Sequence, residues 1–159
     1  MATILKDKNI ALKARYLTVN FIGLAMMAAV FVYAGVVEVI KWQWSPFTGF
    51  ARLAPHTAGL LRYICLALAA GQYVMIRVIR KIVLARSLDN LPQAAIITLA
   101  LCESVALLGL VLFLLCGNSL DFYIFMVISL GFFYRFFPKY EQWEQLVNAG
   151  SSGNKKVSR

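Results

Sequence analysis

The sequence has few acidic residues and few of the residue types that build common catalytic or metal sites. Asp and Glu together number 7, against 16 Lys and Arg, and the chain of 159 residues has one histidine and three cysteines. The cysteines form no CxxC pair and lie in or beside apolar runs, which favours a packing role over a zinc site or a disulfide framework. No nucleophile with a base and no phosphate-binding loop is found, so the sequence predicts a protein that is not an enzyme.

Apolar residues dominate what remains. The chain is 61% hydrophobic and 14% charged, with a mean hydropathy of +0.73. A small water-soluble core cannot hold this many apolar side chains, so lipid must cover the rest. A net charge of +9 raises nucleic acid as a partner for a soluble protein, but here the cations flank apolar runs. This placement favours a lipid bilayer with anionic headgroups and predicts no nucleic-acid partner.

Four apolar runs are long enough to cross a bilayer, because a helix rises about 1.5 Å per residue and the hydrocarbon layer is about 30 Å thick. The sequence predicts an all-α, polytopic membrane protein with one four-helix transmembrane domain over residues 1–149. The predicted spans are 16–40, 57–82, 93–115 and 120–137. A short C-terminal interfacial helix is predicted over 139–148 from the helical spacing of its apolar residues, and 150–159 is predicted to be a flexible tail.

The distribution of cations indicates the orientation in the membrane. The ends of the chain and the link between the second and third spans carry most of the cations: Lys6, Lys8, Lys13, Arg15, Arg80, Lys81, Arg86, Lys139, Lys155, Lys156 and Arg159. The two opposite loops contain only Lys41 and Arg52. By the positive-inside rule, both termini lie in the cytoplasm. We therefore expect a multi-pass membrane protein with both termini and the link between the second and third spans in the cytoplasm.

Glu103 is the residue that most needs an explanation. It follows Gln93, the predicted start of the third span, by ten residues, which places it about 15 Å deep, near the bilayer midplane. An acidic group at that depth costs about 3 kcal/mol. Such a residue is normally accommodated by protonation, by a bound ion or by a charged partner.

The second and third spans are predicted to form an antiparallel hairpin, which allows two interpretations of Glu103. Equal distance from the turn brings Gln72 within about one helical turn of Glu103, and Ser104 adds a hydroxyl, so the group can hold a proton or a small hard ion. Alternatively, Arg77 reaches Glu103 and the two form a charge pair that only joins helices. Arg77 can also extend to the nearby interface. The residues leave both interpretations open.

Other polar and small residues in the spans receive structural interpretations. Arg62 lies near the interface opposite to the cytoplasmic link and is predicted to be an anchor. Glu38, Asn20 and Arg135 also lie close enough to an interface to reach water. The third span carries a stripe of small residues that is typical of a helix-packing seam: Ala95, Thr98, Cys102, Ala106 and Gly109.

The stretch from Ala100 to Val111, ALCESVALLGLV, resembles the second helix of the proteolipid subunit c of rotary ATP synthases. In that family a midmembrane acid is followed by small residues and Gly-Leu-Val. In its sodium-binding members, Ser or Thr follows the acid and a Gly-Gln pair on the first helix supplies another ligand, as Gly71 and Gln72 would here. The resemblance implies that Glu103 carries the ion, that Gln72 and Ser104 are side-chain ligands, and that Leu101 offers its carbonyl.

The resemblance to subunit c covers the central hairpin. Through LTVNFIG at 17–23 and PKYEQWE at 138–144, the whole chain also resembles small four-span bacterial inner-membrane proteins of no assigned function, which implies a location in the bacterial inner (plasma) membrane. Two functions are therefore expected. The first is a membrane protein that binds a proton or a sodium ion at Glu103, needs no other cofactor, and forms part of a homo-oligomer or a larger membrane complex. The second is a structural or assembly subunit in which Glu103 pairs with Arg77 and the small-residue seam docks a partner.

Overall fold

The computed structural model describes residues 2–51, 54–86 and 91–137, and the regular structure within these ranges is all α-helix. Its helices are α1 (Ala2–Gln43), α2 (Pro55–Arg86), α3 (Leu91–Cys116) and α4 (Ser119–Phe136). The all-α prediction is confirmed, and these four helices are each long and apolar enough to cross a membrane. The predicted interfacial helix over 139–148 and the predicted tail over 150–159 lie outside the described residues.

The first helix is longer than the predicted span over 16–40. It begins in the basic N-terminal segment and continues through Gln43, so Lys41 and Trp42 belong to the helix and not to the following loop. The helix ends just before Ser45 and Pro46, where proline disfavours helical backbone in the residue before it. The other helices extend at most a few residues beyond the predicted spans, except that α4 stops one residue earlier, at Phe136.

Helix α3 lies at the centre of the bundle and packs against α1, α2 and α4, while α1 and α4 also contact each other. Each helix runs antiparallel to the one before it in the chain. Residues 44–51 and the 117–118 turn lie at one end, here called the loop end; α1 begins and α4 finishes at the other, here called the basic end. The interior side chains of α3 are fully buried: Leu99, Cys102, Val105, Ala106, Leu112 and Phe113. The most apolar helix therefore supplies the core for the other three.

The small-residue stripe of α3 is a packing surface within this chain. Thr98, Cys102 and Ala106 are buried, and a Cβ atom on Gly109 would lie 2.5 Å from the Cβ of Phe125 on α4. Helices approach this closely only where one of them lacks a side chain. The hydroxyl of Ser129 on α4 also donates to the carbonyl of Cys102, at 2.7 Å. The seam therefore fixes α4 against α3.

The outer surface of the bundle carries large apolar side chains. On α1, Phe21 is 76% exposed and Val32 is 62% exposed, and on α2, Val74 is 59% exposed. Soluble monomers rarely expose contiguous apolar surface on this scale. Lipid chains would cover such a surface at no cost, which fits helices of membrane-spanning length.

The connection between α1 and α2 caps the end of α3. The backbone N–H of Phe50 donates to the carbonyl of Leu114 at 2.8 Å, and the N–H of Ala51 donates to that of Leu115 at 3.4 Å. The ring of Phe47 packs on Phe113 with 5.2 Å between centroids. The last carbonyls of a helix have no hydrogen-bond donor within the helix, so the loop supplies N–H donors to the carbonyls at the end of α3.

This cap requires glycine at position 117, so we expect Gly117→Ala to lower the free energy of unfolding by about 2 kcal/mol. Gly117 has a φ of +75°, and a Cβ there would lie 2.5 Å from the backbone nitrogen of Gly49. Gly131→Ala is the matched control, because nothing lies within 4 Å of a Cβ at that position. Chemical denaturation in detergent micelles measures both. Equal stability of the two variants would contradict the capping contact.

Candidate functional site around Glu103

Glu103 lies in the middle of α3 and is half-buried. The hydroxyl of Tyr33, on α1, donates to its Oε1 atom at 2.6 Å. This distance is within the normal range for an O–H···O hydrogen bond. Tyr33 itself is half-buried among the apolar residues at the α1–α3 contact. The acid that the sequence places near the midplane therefore receives a neutral donor from another helix.

Tyr33 was not among the predicted site residues. Residue counting relates the second and third spans, which are neighbours in sequence, but says nothing about which side chain of α1 meets α3. A signal was nevertheless present. A tyrosine in the interior of an apolar span usually finds a hydrogen-bond partner for its hydroxyl, and few polar groups lie at that depth.

Two of the predicted ion ligands, Ser104 and Leu101, form a hydrogen bond with each other. The hydroxyl of Ser104 donates to the carbonyl of Leu101 at 2.9 Å, one turn back along α3. This local bond is common for serine within a helix. Neither group hydrogen-bonds to the Glu103 carboxyl in the part of the chain that the structure describes. Ser104 can still accept through its oxygen.

Gln72 lies on the face of α2 that packs against α3. Its neighbours on that face, Ala69 and Ile76, are buried, and Gln72 itself is half-buried. The Oε1 atom of Gln72 is buried and has no hydrogen-bond partner among the described residues. An unpaired buried acceptor is unfavourable by about 1 to 3 kcal/mol. The amide of Gln72 is thus an open acceptor inside the bundle, but no hydrogen bond connects it to Glu103.

Arg77, the predicted charge partner, binds elsewhere. One of its guanidinium nitrogens donates to the hydroxyl of Tyr73 at 2.6 Å, and the guanidinium carbon lies 4.9 Å from the centroid of the same ring. Arg77 is exposed and lies one turn beyond Tyr73 on α2, so its long side chain can extend toward the basic end. No ion pair between Arg77 and Glu103 is present within the described ranges.

A second polar contact joins α2 to α4 near the loop end. One nitrogen of Arg62 lies 2.8 Å from Oδ1 of Asp121 and donates to Oδ2 at 2.9 Å. Asp121 occupies the first turn of α4, where the helix dipole favours an acid, and only 3% of it is exposed. The sequence interpretation of Arg62 as an interface anchor overlooked this pair. An acid at the start of one span and an arginine at the same end of another was the available signal.

A third contact joins α1 to α4 at the same end. Lys41 donates to Glu38 at 2.9 Å, and the hydroxyl of Tyr123 also donates to Glu38. Among the acidic side chains that the structure describes, Glu38 and Asp121 each lie against a cation, whereas Glu103 contacts only a neutral hydroxyl. Within those same residues, no group of three or more His, Cys, Asp or Glu is placed to hold a metal ion.

No protein-family model, curated protein or solved structure matches this chain. The resemblance of the central hairpin to subunit c therefore stays a prediction, and the function has to be inferred from the geometry.

Proposed function

We propose that this chain is a multi-pass membrane protein that binds a proton or a sodium ion at the Glu103 carboxyl, as a subunit of an oligomer or a larger membrane complex. The observation that carries the proposal is the lack of a cation against Glu103 among the described residues. A midmembrane acid is accommodated by a charged partner, a bound ion or protonation. Arg77, the expected charged partner, hydrogen-bonds to Tyr73 instead. A bound ion and protonation therefore remain as explanations for the acid.

The geometry favours a proton over sodium. Tyr33 occupies Oε1 of Glu103, and Oε2 has no hydrogen-bond partner in the described part of the chain, so a proton on Oε2 requires no rearrangement. Sodium, as a hard cation, needs several oxygen ligands. The hydroxyl of Ser104 and the carbonyl of Leu101 bond to each other, and these would have to reorient toward the ion.

Membrane insertion is part of the proposal and is supported by two features. Four helices have the length and composition of membrane spans, and large apolar side chains cover the outer surface of the bundle. Of the cationic side chains that the structure describes, Lys41 and Arg62 lie near the loop end, and six lie toward the basic end: Lys13, Arg15, Arg77, Arg80, Lys81 and Arg135. By the positive-inside rule we propose that this end faces the cytoplasm, with both termini on that side. The resemblance to four-span inner-membrane proteins supports the bacterial inner membrane as the location.

A second function, that of a structural or assembly subunit, is favoured by the same hydrogen bond. The contact between Tyr33 and Glu103 joins α1 to α3 at mid-depth. Such a bond can hold two helices together without any exchange of a proton or an ion. The two functions differ in whether the Glu103 carboxyl is chemically accessible and changes its protonation.

Labelling by a hydrophobic carbodiimide tests the proposed function. The reagent reacts readily with protonated carboxyls in apolar surroundings, and mass spectrometry locates the modified residue. We expect Glu103 to be labelled in detergent micelles, at a rate that falls as the pH is raised. Suppression by sodium at constant pH would identify sodium, and not only a proton, as the bound ion.

Glu38 and Asp121 serve as internal controls in the same experiment. Both contact cations near the loop end, so at neutral pH they should label more slowly than Glu103. An unlabelled Glu103 at all pH values, with or without sodium, would contradict ion binding and leave the structural function. Equal labelling of Glu38 and Glu103 would show that the reagent does not distinguish the proposed site.

A further inference from the structure

Three cations share one face of α2 at the end of its candidate span. Arg77, Arg80 and Lys81 are spaced by three and four residues, which puts their side chains on one side of a helix. The candidate span runs from His56 to Ile82, so these residues occupy its last turns, at the depth of lipid headgroups. Among the side chains that the structure describes, no acid lies at this end of the bundle.

The two arginines make cation–π contacts with a cluster of aromatic rings on α2 and α4. The guanidinium carbon of Arg80 lies 5.7 Å from the ring centroid of Phe136, and Arg77 lies over Tyr73. The ring of Tyr73 in turn contacts Phe132 and Phe136, with centroids 5.5 and 5.7 Å apart. An arginine held on an aromatic ring is oriented before a ligand arrives and keeps edge donors for a phosphate.

The surface next to these cations is apolar toward the middle of the bundle. Val74 is 59% exposed and lies about one turn nearer the middle of α2 than Arg77, and Val78 is 47% exposed and lies beside Arg77. Both valines are on the Lys81 side of Arg77 around the helix axis, away from Arg80. Exposed apolar surface therefore borders Arg77 and Lys81, as at the junction between the headgroup and the acyl chains of a phospholipid. A soluble phosphate would use only the cations, so this apolar surface favours a lipid.

We infer that Arg77, Arg80 and Lys81 bind the headgroup phosphate of an anionic phospholipid from the surrounding bilayer, with an acyl chain along Val74 and Val78. Charge complementarity and the guanidinium donors select the headgroup, and the exposed valines accept the chain. This site rests on membrane insertion but is independent of ion binding at Glu103. It differs from diffuse attraction to an acidic membrane because specific side chains hold one lipid.

Native mass spectrometry of the full chain, released from dodecyl maltoside micelles, tests the site. The probes are dioleoyl phosphatidylglycerol and dioleoyl phosphatidylcholine, which have the same acyl chains and differ in net headgroup charge. We expect one phosphatidylglycerol to be retained more tightly than phosphatidylcholine. The double variant Arg77→Gln with Arg80→Gln should weaken phosphatidylglycerol binding about 30-fold. Phosphatidylcholine binding should weaken less than about 3-fold, because the choline group already balances the charge of its phosphate.

The matched control is Lys13→Gln with Arg135→Gln, which removes the same charge from exposed positions at the same end, on α1 and α4. We expect it to weaken phosphatidylglycerol binding less than about 3-fold. Equal losses in the two double variants, or no preference for phosphatidylglycerol in the wild type, would overturn the site. Inorganic phosphate should not displace the lipid; if it does, the ligand is free phosphate and the lipid assignment is wrong. Phosphatidylcholine binding that persists in every variant separates these failures from loss of the membrane domain.

Discussion

Replacing Arg62 with methionine is expected to lower the free energy of unfolding by about 3 kcal/mol, the largest effect of any single change proposed here. The substitution leaves the Asp121 side chain, which is only 4% exposed, without a cation. Removing one member of a buried pair is costly because the other charge remains desolvated. Arg62 itself is 44% exposed, so water screens part of the interaction and the expected value lies at the lower end of the range for buried pairs.

Substitution of Asp121 should lower the free energy of unfolding less than substitution of Arg62. Asp121→Asn keeps the shape of the side chain and leaves Arg62 free to reach water, so we expect a loss of only about 1 kcal/mol. The double variant Arg62→Met with Asp121→Asn should lose less than the sum of the two single variants, because the buried charge is gone. Denaturant titrations in detergent micelles measure all three. A larger loss for Asp121→Asn than for Arg62→Met would contradict the asymmetry.

Glu103→Gln is expected to abolish the fast, pH-dependent carbodiimide labelling while changing the free energy of unfolding by less than about 1 kcal/mol. Glutamine retains a carbonyl oxygen that can accept from the Tyr33 hydroxyl, and a protonated glutamic acid is close to it in shape and charge. A fully ionised, structurally required Glu103 would respond differently. Glutamine would then replace a hydrogen bond to a charged group, which contributes about 1.5 to 3 kcal/mol, by a neutral one of about 0.5 to 1.5 kcal/mol, a net loss of more than about 1 kcal/mol.

Tyr33→Phe provides the companion variant to Glu103→Gln. It removes the only hydrogen bond that the Glu103 side chain makes in the described part of the chain, so Oε1 becomes accessible and the labelling rate of Glu103 should rise. The fold should lose about 1 kcal/mol. An unchanged labelling rate in this variant would mean that the hydroxyl does not protect the carboxyl.

Hydropathy was sufficient to predict the helical fold. Four long apolar runs predicted the helices, because a chain in lipid must satisfy its backbone groups internally. The position of Glu103 in the middle of α3 also followed from counting residues, since the rise per residue of a helix is constant. Both quantities depend on one helix at a time, so neighbouring elements do not alter them.

The partners of Glu103 could not be predicted in the same way. Distance from the turn gave the height of Gln72 relative to Glu103, but the direction of a side chain changes by about 100° per residue around the helix axis. Packing of α2 on α3 decides that rotation, and it leaves the Gln72 oxygen buried without a bond to the acid. Tyr33 comes from α1, whose position beside α3 depends on contacts far apart in sequence.

The pair between Arg62 and Asp121 illustrates a second limit. Each residue lies near the end of an apolar run, and either one alone is explained by access to the interface. Their proximity depends on α2 and α4 lying on neighbouring sides of α3, which no local pattern specifies. The cap that residues 50 and 51 form on α3 is another contact of this kind, because its donors are backbone groups that carry no sequence signal.

Infrared difference spectroscopy on the protein reconstituted in phosphatidylcholine bilayers tests the central claim, that Glu103 holds an exchangeable proton inside the membrane. The C=O stretch of a protonated carboxyl is separate from that of a carboxylate, and it shifts when the proton is replaced by deuterium. We predict a protonated-carboxyl band in the wild type that diminishes as the pH is raised and is missing from Glu103→Gln. A band that persists in Glu103→Gln, or the presence of carboxylate bands alone at every pH, would contradict the proposal.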